Sequence, residues 1–223
     1  MKAGNATYTD PADLPELVPI FPLPAALLLP GGNMPLNIFE PRYLAMVEHA
    51  LSGDRIIGMI QPELDHDETM DTPPLCKIGC LGRVTAFQES GDGRLIMNLT
   101  GVCRFRLLEE DFPVNGFRMA RVAPFADDLG DMSEAEAEVD RNALLETFRQ
   151  FLEANELEAD WEGVSEASTE TLVNSLSMMS PYGPAEKQAL LEAPDLKTRA
   201  ETLIAITEIS LAREAGEAGT TLQ

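Results

Sequence analysis

LVPIFPLPAALLLPGGNMPLNIFEPRY, residues 17–43, is the most informative stretch of this sequence. Its first part, Leu17 to Phe39, carries no charge and is long enough on paper to cross a bilayer. The same part contains five prolines and the pair Gly31-Gly32, which would break a lipid-exposed helix in several places. We therefore predict short buried strands joined by turns, in a protein without a membrane partner.

The charge of the chain excludes several classes of partner. Its 223 residues include 16 basic and 38 acidic side chains, for a formal net charge of -22. Such a polyanion repels phosphate backbones and anionic bilayers, so we expect no nucleic-acid partner. The first residues, Met1 to Asn5, have no apolar segment of the kind that directs secretion. We expect a cytoplasmic protein in which Cys76, Cys80 and Cys103 are thiols.

The first half of the chain is turn-rich, since 13 of the 16 prolines lie at or before Pro124. Apolar runs of strand length predict short strands, Gly91 to Gly93 predicts a hairpin loop, and Gly101 predicts a bulge. Cys103, Phe105 and Leu107 alternate with arginines, which is typical of a strand with one face in water. One helix is predicted from Pro41 to Gly53. This pattern predicts a small, partly closed antiparallel barrel.

Helical periodicity replaces the strand pattern after Pro124 and predicts a bundle of about four helices. Their expected starts are the capping box Ser133 to Glu136, Ser165 or Ser168, Gly183-Pro184, and Asp195, the last helix ending near Arg213. We predict an α+β protein with a flexible N-terminus (1–16), a barrel subdomain (17–130), a bundle subdomain (131–215) and a frayed tail (216–223). Residues 131–223 carry 6 basic and 20 acidic side chains, a net of -14. This acidic surface is either simply solvated or a docking surface for a basic partner.

Several motifs recur in the order of a known family. They are Phe21-Pro22-Leu23-Pro24, Leu29-Pro30-Gly31-Gly32, Pro35-Leu36-Asn37-Ile38-Phe39-Glu40-Pro41-Arg42-Tyr43, Lys77 to Val84, Asp92-Gly93-Arg94, Thr100 to Arg106, Glu186 to Glu192, and Asp195 to Arg199. Together they run from about Leu17 to Arg213 and resemble the Lon protease N-terminal domain. Cys80 stands where the family usually has threonine.

The resemblance implies a PUA-like pseudo-barrel followed by a helical bundle, and a role in substrate recognition and assembly. Full-length Lon enzymes continue into an ATPase module and a Ser-Lys peptidase module. This sequence contains no Gly-x-x-x-x-Gly-Lys-Ser/Thr phosphate loop. We therefore expect a free-standing Lon-type domain that is not an enzyme and needs no cofactor.

The residue types that act as nucleophiles, bases or metal ligands in other proteins form no catalytic arrangement in this sequence. Neither His49 nor His66 stands beside an identifiable nucleophile, and no lysine forms a Ser-Lys pair. The three cysteines allow a metal site, but alternate spacing on a strand favours buried thiols. Asp65-His66-Asp67-Glu68 with Asp71 gathers possible metal ligands without the spacing of a calcium loop. We expect a solvated acidic loop and no metal.

Four residues are the candidates for binding a partner. We expect Phe39, Arg42 and Tyr43 to border a groove at the seam between barrel and bundle, although Glu40 and Arg42 also fit a purely structural helix start. Trp161, the only tryptophan, is either a lid over the core or a binding hot spot.

The predicted function is the non-catalytic binding of unfolded or specific polypeptides. One alternative is a regulatory or adaptor subunit of a separate protease or other enzyme, with homo-oligomerisation as a variant. A PUA-type RNA binder is the weaker alternative, because residues 1–130, with 10 basic and 18 acidic side chains, are themselves net -8.

Overall fold

A computed structural model describes residues 1–65, 70, 72–131 and 133–220. In these ranges the chain forms a six-stranded mixed sheet, a two-stranded sheet and seven α-helices, so the predicted α+β class is confirmed. Most of the predicted acidic loop, namely His66 to Glu68 and Asp71, lies outside the described residues. No helix within the described part of the chain is long and apolar enough to cross a membrane.

The strands are short, apart from two long partners in the hairpin predicted around Gly91 to Gly93. Their bounds are β1 Lys2–Ala3, β2 Ala6–Thr7, β3 Leu17–Pro22, β4 Asn33–Ile38, β5 Ile56–Ile60, β6 Ile78–Glu89, β7 Leu95–Val114 and β8 Phe117–Pro124. The large sheet has the order β4-β7-β6-β5-β3-β8, and β8 also pairs with β7. Strand pairing therefore runs in a ring through β7, β6, β5, β3 and β8, with β4 at an edge.

One pair in this sheet corrects the sequence prediction of a partly closed antiparallel barrel. β3 and β5 are parallel, with Ile20 opposite Gly58 and Pro22 opposite Ile60. The helix α1, Pro41–Ser52, lies between them in the chain and contacts both strands. Parallel neighbours require such a crossover connection, and the helix predicted from Pro41 to Gly53 supplies it.

The bulge predicted at Gly101 is present. Gly82 pairs with Gly101 and Leu81 pairs with Cys103, so one residue of β7 is extra. The loop after β3 crosses closely here, because the Gly31 N–H donates to the Gly101 carbonyl at 3.0 Å and the Gly101 N–H donates to the Gly32 carbonyl at 2.8 Å. A Cβ on Gly101 would lie only 2.0 Å from the Leu29 carbonyl oxygen, so only glycine fits.

Six helices follow the sheet in the described part of the chain. They are α2 Ser133–Ala137, α3 Arg141–Ala154, α4 Trp161–Glu166, α5 Thr169–Met179, α6 Pro184–Glu192 and α7 Leu196–Thr220, and a 3₁₀ helix at Ala126–Leu129 precedes them. α2, α3, α5 and α6 all contact α7.

The predicted helix starts are correct for α5, α6 and α7. Ser168 caps α5, Pro184 opens α6 after Gly183, and the Asp195 carboxylate accepts from the Thr198 N–H at 2.7 Å. The prediction of one helix from the box at Ser133 is wrong. The Asp131 carboxylate accepts the Ser133 N–H, and Asp140 caps the separate α3.

Two hydrophobic clusters hold these elements together. The smaller one lies on the sheet and includes Ala3, Tyr8 and Leu14, which belong to the N-terminal segment for which the sequence predicts flexibility. The larger one contains residues of α1 and sheet residues such as Met97 and Leu99. It joins them to buried leucines of α3, α5, α6 and α7. Sheet and helices therefore share the larger of the two clusters.

Candidate functional site

Three of the four candidate residues lie together where β4 ends and α1 begins, and we call them the β4–α1 corner: Phe39, Arg42 and Tyr43. Phe39 directly follows β4 and is 61% exposed, which is unusual for so large an apolar side chain. The Arg94 guanidinium lies 5.9 Å from the centre of its ring. Glu40 caps α1 through its extended backbone, and Pro41 is the first helical residue.

Arg42 makes the internal pair that the structural alternative predicted. Its Nε donates to Glu40 Oε2 at 2.9 Å, and its guanidinium lies 4.6 Å from the centre of the Tyr43 ring. Both charged side chains are nearly half exposed, at 47% and 43%. An exposed pair of this kind contributes about 0–1 kcal/mol, so a partner can displace it at little cost.

Tyr43 connects the corner to the core. Its ring centre lies 4.4 Å from that of Phe21, a buried residue of β3. Burial raises the pKa of the Tyr43 hydroxyl, although the positive charge of Arg42 acts in the opposite direction. The hydroxyl therefore stays protonated at neutral pH and can donate a hydrogen bond.

Trp161 lies elsewhere, at the first position of α4. The Asp160 carboxylate accepts the Gly163 N–H and so caps this helix. The indole is 39% exposed, and the Arg149 guanidinium of α3 lies 5.0 Å from the centre of its ring. The structure thus brings three of the four candidates together and places the fourth against α3.

The seam between sheet and helices is occupied by a buried ion pair that the sequence did not predict. The alternation on β7 predicted Arg104 in water, but the residue is only 3% exposed. Its Nη2 donates to Asp128 Oδ1 at 2.8 Å, and its Nε donates to Asp128 Oδ2 at 2.9 Å. The same guanidinium donates to the carbonyls of Leu191, Ala193 and Pro194 at the end of α6.

A second buried arginine lies close by. Arg199 of α7 donates from Nε to the Leu190 carbonyl and from Nη1 to Asn174 Oδ1, each at 3.0 Å. The Asn174 amide in turn donates to the Pro30 carbonyl in the loop after β3. Burial, followed by the positive charge of Arg104, lowers the pKa of Arg199 to about 10. Arg199 therefore remains charged at neutral pH.

Two buried glutamines complete the seam. Gln61 Nε2 donates to Gln188 Oε1 at 3.0 Å, and Gln188 Nε2 donates to the Ile78 carbonyl at 3.2 Å. These amides connect α6 to the sheet with satisfied hydrogen bonds. Where these glutamines and arginines lie, side chains fill the seam, so the predicted groove is not open at these positions.

The remaining candidates for chemistry are the three cysteines and the possible metal ligands. Cys76, Cys80 and Cys103 are all buried, and burial is the main cause of the raised pKa of each thiol, to about 12 for Cys103. A raised pKa leaves little reactive thiolate at neutral pH. Among the described residues, no group of three or more His, Cys, Asp or Glu could hold a metal ion.

Comparison with known protein families agrees with this architecture. Residues 17–208 match the model of the ATP-dependent protease La (LON) substrate-binding domain. The chain belongs to this family. A curated relative is Lon protease 2 of Myxococcus xanthus, with 26% identity over 197 residues that cover 86% of this chain and 23% of that protein. This domain thus spans about a quarter of the length of the Lon proteases that it matches.

Two solved structures share the fold. One is a Lon N-terminal domain protein from Xanthomonas campestris, with a TM-score of 0.57 and 24% identity over 85% of this chain and 97% of that one. The other is the N-terminal domain of the Mycobacterium avium complex Lon protease, with a TM-score of 0.62 and 18% identity over 86% and 98%.

Proposed function

We propose that this Lon domain is a non-catalytic module that binds unfolded or specific polypeptides, built from a PUA-like pseudo-barrel and a helical bundle. The match of residues 17–208 to the Lon substrate-binding domain carries the proposal. The ring of paired strands and the contacts of α7 with four other helices support the two-part architecture.

The β4–α1 corner is the proposed contact surface. Burying an exposed phenylalanine contributes about 1.5–3 kcal/mol, and aromatic and arginine side chains are enriched among binding hot spots. Phe39 offers apolar area, Arg42 offers donors after release from Glu40, and Tyr43 is held in place by Phe21. A fixed aromatic beside an exposed one suits an extended apolar segment.

The proposal includes the absence of ATPase and peptidase activity. The sequence has no phosphate loop, and the buried thiols have raised pKa values. No lysine of the sequence forms a recognisable Ser-Lys pair, and Lys187 donates from Nζ to the Met178 carbonyl at 3.1 Å. The purified protein is therefore expected neither to hydrolyse ATP nor to cleave casein.

The test is a titration of a labelled, unfolded basic polypeptide, followed by fluorescence anisotropy. We expect a micromolar dissociation constant, about -8 kcal/mol, because ordering the client offsets much of the contact energy. Affinity should fall with added salt, because the domain is acidic. Phe39→Ala should weaken binding about tenfold.

Leu108→Ala is the matched control. Leu108 is also 61% exposed, but it lies on β7 well past Leu95, the residue that pairs with Ile38 beside the corner. Equal affinity of wild type and Phe39→Ala would refute the placement at the corner. No binding of any unfolded polypeptide would refute the function. One stoichiometric partner captured from an extract, instead of many clients, would indicate an adaptor for a separate protease or other enzyme.

A further inference from the structure

A concave surface lies between α3 and α4, far in sequence from the β4–α1 corner. Its lining combines the buried Leu152, the partly exposed Leu157 and Trp161, and three charged side chains, Arg149, Glu153 and Glu158. It is a shallow, open depression of about 400 Å³. We call it the α3–α4 depression.

The end of α3 explains how the depression forms. The Leu157 N–H donates to the Leu152 carbonyl at 2.9 Å, and the Glu156 N–H donates to the Glu153 carbonyl at 3.3 Å. Glu156 has a φ of +54°, so the helix ends in a Schellman motif with glutamate in the left-handed position. This turn directs the chain away from α3 before Asp160 caps α4, and it leaves Leu157 55% exposed.

The charge around the depression favours one kind of occupant. Residues 146–166 contain seven acidic side chains and one basic side chain, Arg149, which gives a net of -6. A segment of this charge attracts cationic peptides and repels acidic ones and nucleic acids.

The depression already holds one cation against its aromatic ring, the guanidinium of Arg149. Its guanidinium lies over the Trp161 ring at 5.0 Å and 3.5 Å from Glu146 Oε2. An indole is the aromatic ring that attracts cations best. The side chain of Arg149 is 52% exposed, so a basic residue of a partner can share or replace this contact.

We propose that the α3–α4 depression binds a basic segment of a polypeptide, with an apolar side chain against Leu157 and Trp161 and a flanking arginine or lysine beside Glu153 and Glu158. This inference rests on the proposed polypeptide-binding function and names the class of segment that this surface selects. The β4–α1 corner and the depression are separate surfaces.

The test uses a short synthetic peptide that alternates leucine and arginine, and a second peptide with glutamate in place of every arginine. Because Trp161 is the only tryptophan in the chain, its fluorescence reports directly on the depression. We expect a saturable fluorescence change with the basic peptide and none with the acidic one. Leu157→Ala and the double substitution Glu153→Gln/Glu158→Gln should each weaken binding about tenfold.

Ile209→Ala is the control, because Ile209 is 52% exposed on α7 and should not affect the titration. Equal affinity of wild type and Leu157→Ala, or equal binding of both peptides, would overturn the inference. Anisotropy of labelled basic peptide separates the two proposals. Binding that depends on Phe39 without any change at Trp161 would overturn the inference alone, whereas no binding would overturn it together with the proposed function.

Discussion

At the scale of single residues, Gly101 is the position where the chain least tolerates a side chain. The loop after β3 crosses β7 there through two backbone hydrogen bonds with Gly31 and Gly32. The obstacle to a side chain is the Leu29 backbone carbonyl, which cannot move without breaking this crossing. The sequence predicted a bulge at this glycine but not the crossing, because the loop lies about seventy residues earlier in the chain.

Gly101→Ala is therefore expected to lower the free energy of unfolding by more than about 3 kcal/mol, because the backbone must shift. Urea unfolding followed by circular dichroism measures the change. Gly130→Ala is the control, since its Cβ would meet only the Asp127 carbonyl oxygen at 3.5 Å. A loss of less than about 1 kcal/mol in Gly101→Ala would contradict the crossing.

Glu170 gives a pH-dependent prediction. Burial, followed by the negative charge of Glu136, raises the pKa of this carboxyl above its ordinary value of 4.5. The folded state then binds a proton more readily than the unfolded state, so ionised Glu170 lowers stability at neutral pH. This penalty disappears as pH falls through the raised pKa to below the ordinary value.

Glu170→Gln should therefore be more stable than wild type at pH 7, and the difference should shrink toward pH 4. Thermal melts at several pH values measure it. The exposed Glu201→Gln is the control, because it reports what removal of one negative charge does in a chain of net charge -22. An advantage for Glu170→Gln that grows as pH falls would contradict the sign.

At the scale of elements, α6 is tied to the sheet by polar contacts as well as by its buried leucines. Gln188 and Gln61 are 7% and 1% exposed, and Gln61 Nε2 donates to Gln188 Oε1. Removing Gln61 leaves the buried Gln188 Oε1 without this donor, and removing Gln188 leaves Gln61 Nε2 with one of its two acceptors, the Pro184 carbonyl. Loss of a buried hydrogen-bond partner costs about 1–3 kcal/mol.

A double-mutant cycle tests this link. Gln188→Ala and Gln61→Ala should each lose about 2 kcal/mol, and the double variant should lose about 1 kcal/mol less than their sum. Gln150→Ala is the control, because Gln150 is exposed on α3 and its side chain donates to Glu146, and we expect a change within about 0.5 kcal/mol. Strict additivity of the Gln61 and Gln188 losses would contradict the direct contact.

Neighbouring residues in the sequence predicted the helices and strands better than they predicted which elements contact each other. Ser168, Pro184 and Gly53 act within one helical turn, so the caps of α5, α6 and α1 could be predicted from neighbouring residues. The alternation along β7 could not predict that Arg104 is buried. Its hydrogen-bond partners lie 24 residues away, at Asp128, and 87 or more residues away, at the end of α6.

At the scale of the whole molecule, the sheet and the helices depend on one core. The larger hydrophobic cluster contains Met97 and Leu99 of the sheet together with Leu144 and Leu203 of the helices. Arg104 crosses the same boundary with a buried charge. Separating the sheet from the helices would expose this cluster. It would also leave the Arg104–Asp128 ion pair without the carbonyls at the end of α6.

We therefore expect one cooperative unfolding transition. Trp161 fluorescence, which reports on α4, and far-ultraviolet circular dichroism, which reports on the whole chain, should give the same urea midpoint, with a slope of about 2–3 kcal/mol per M. An earlier midpoint for Trp161 would show that the helices unfold separately and would contradict the shared core.

The most direct test of the account is a hydrogen-exchange footprint of the protein with an unfolded basic polypeptide at saturation. Amides in the first turn of a helix lack intrahelical partners, so those around Phe39 to Arg42 should exchange quickly in the free protein. We predict slower exchange there and between Leu157 and Trp161 when the polypeptide is bound, with the buried seam around Arg104 unchanged. Protection confined to other surfaces, or no protection at saturation, would contradict polypeptide binding at these two sites.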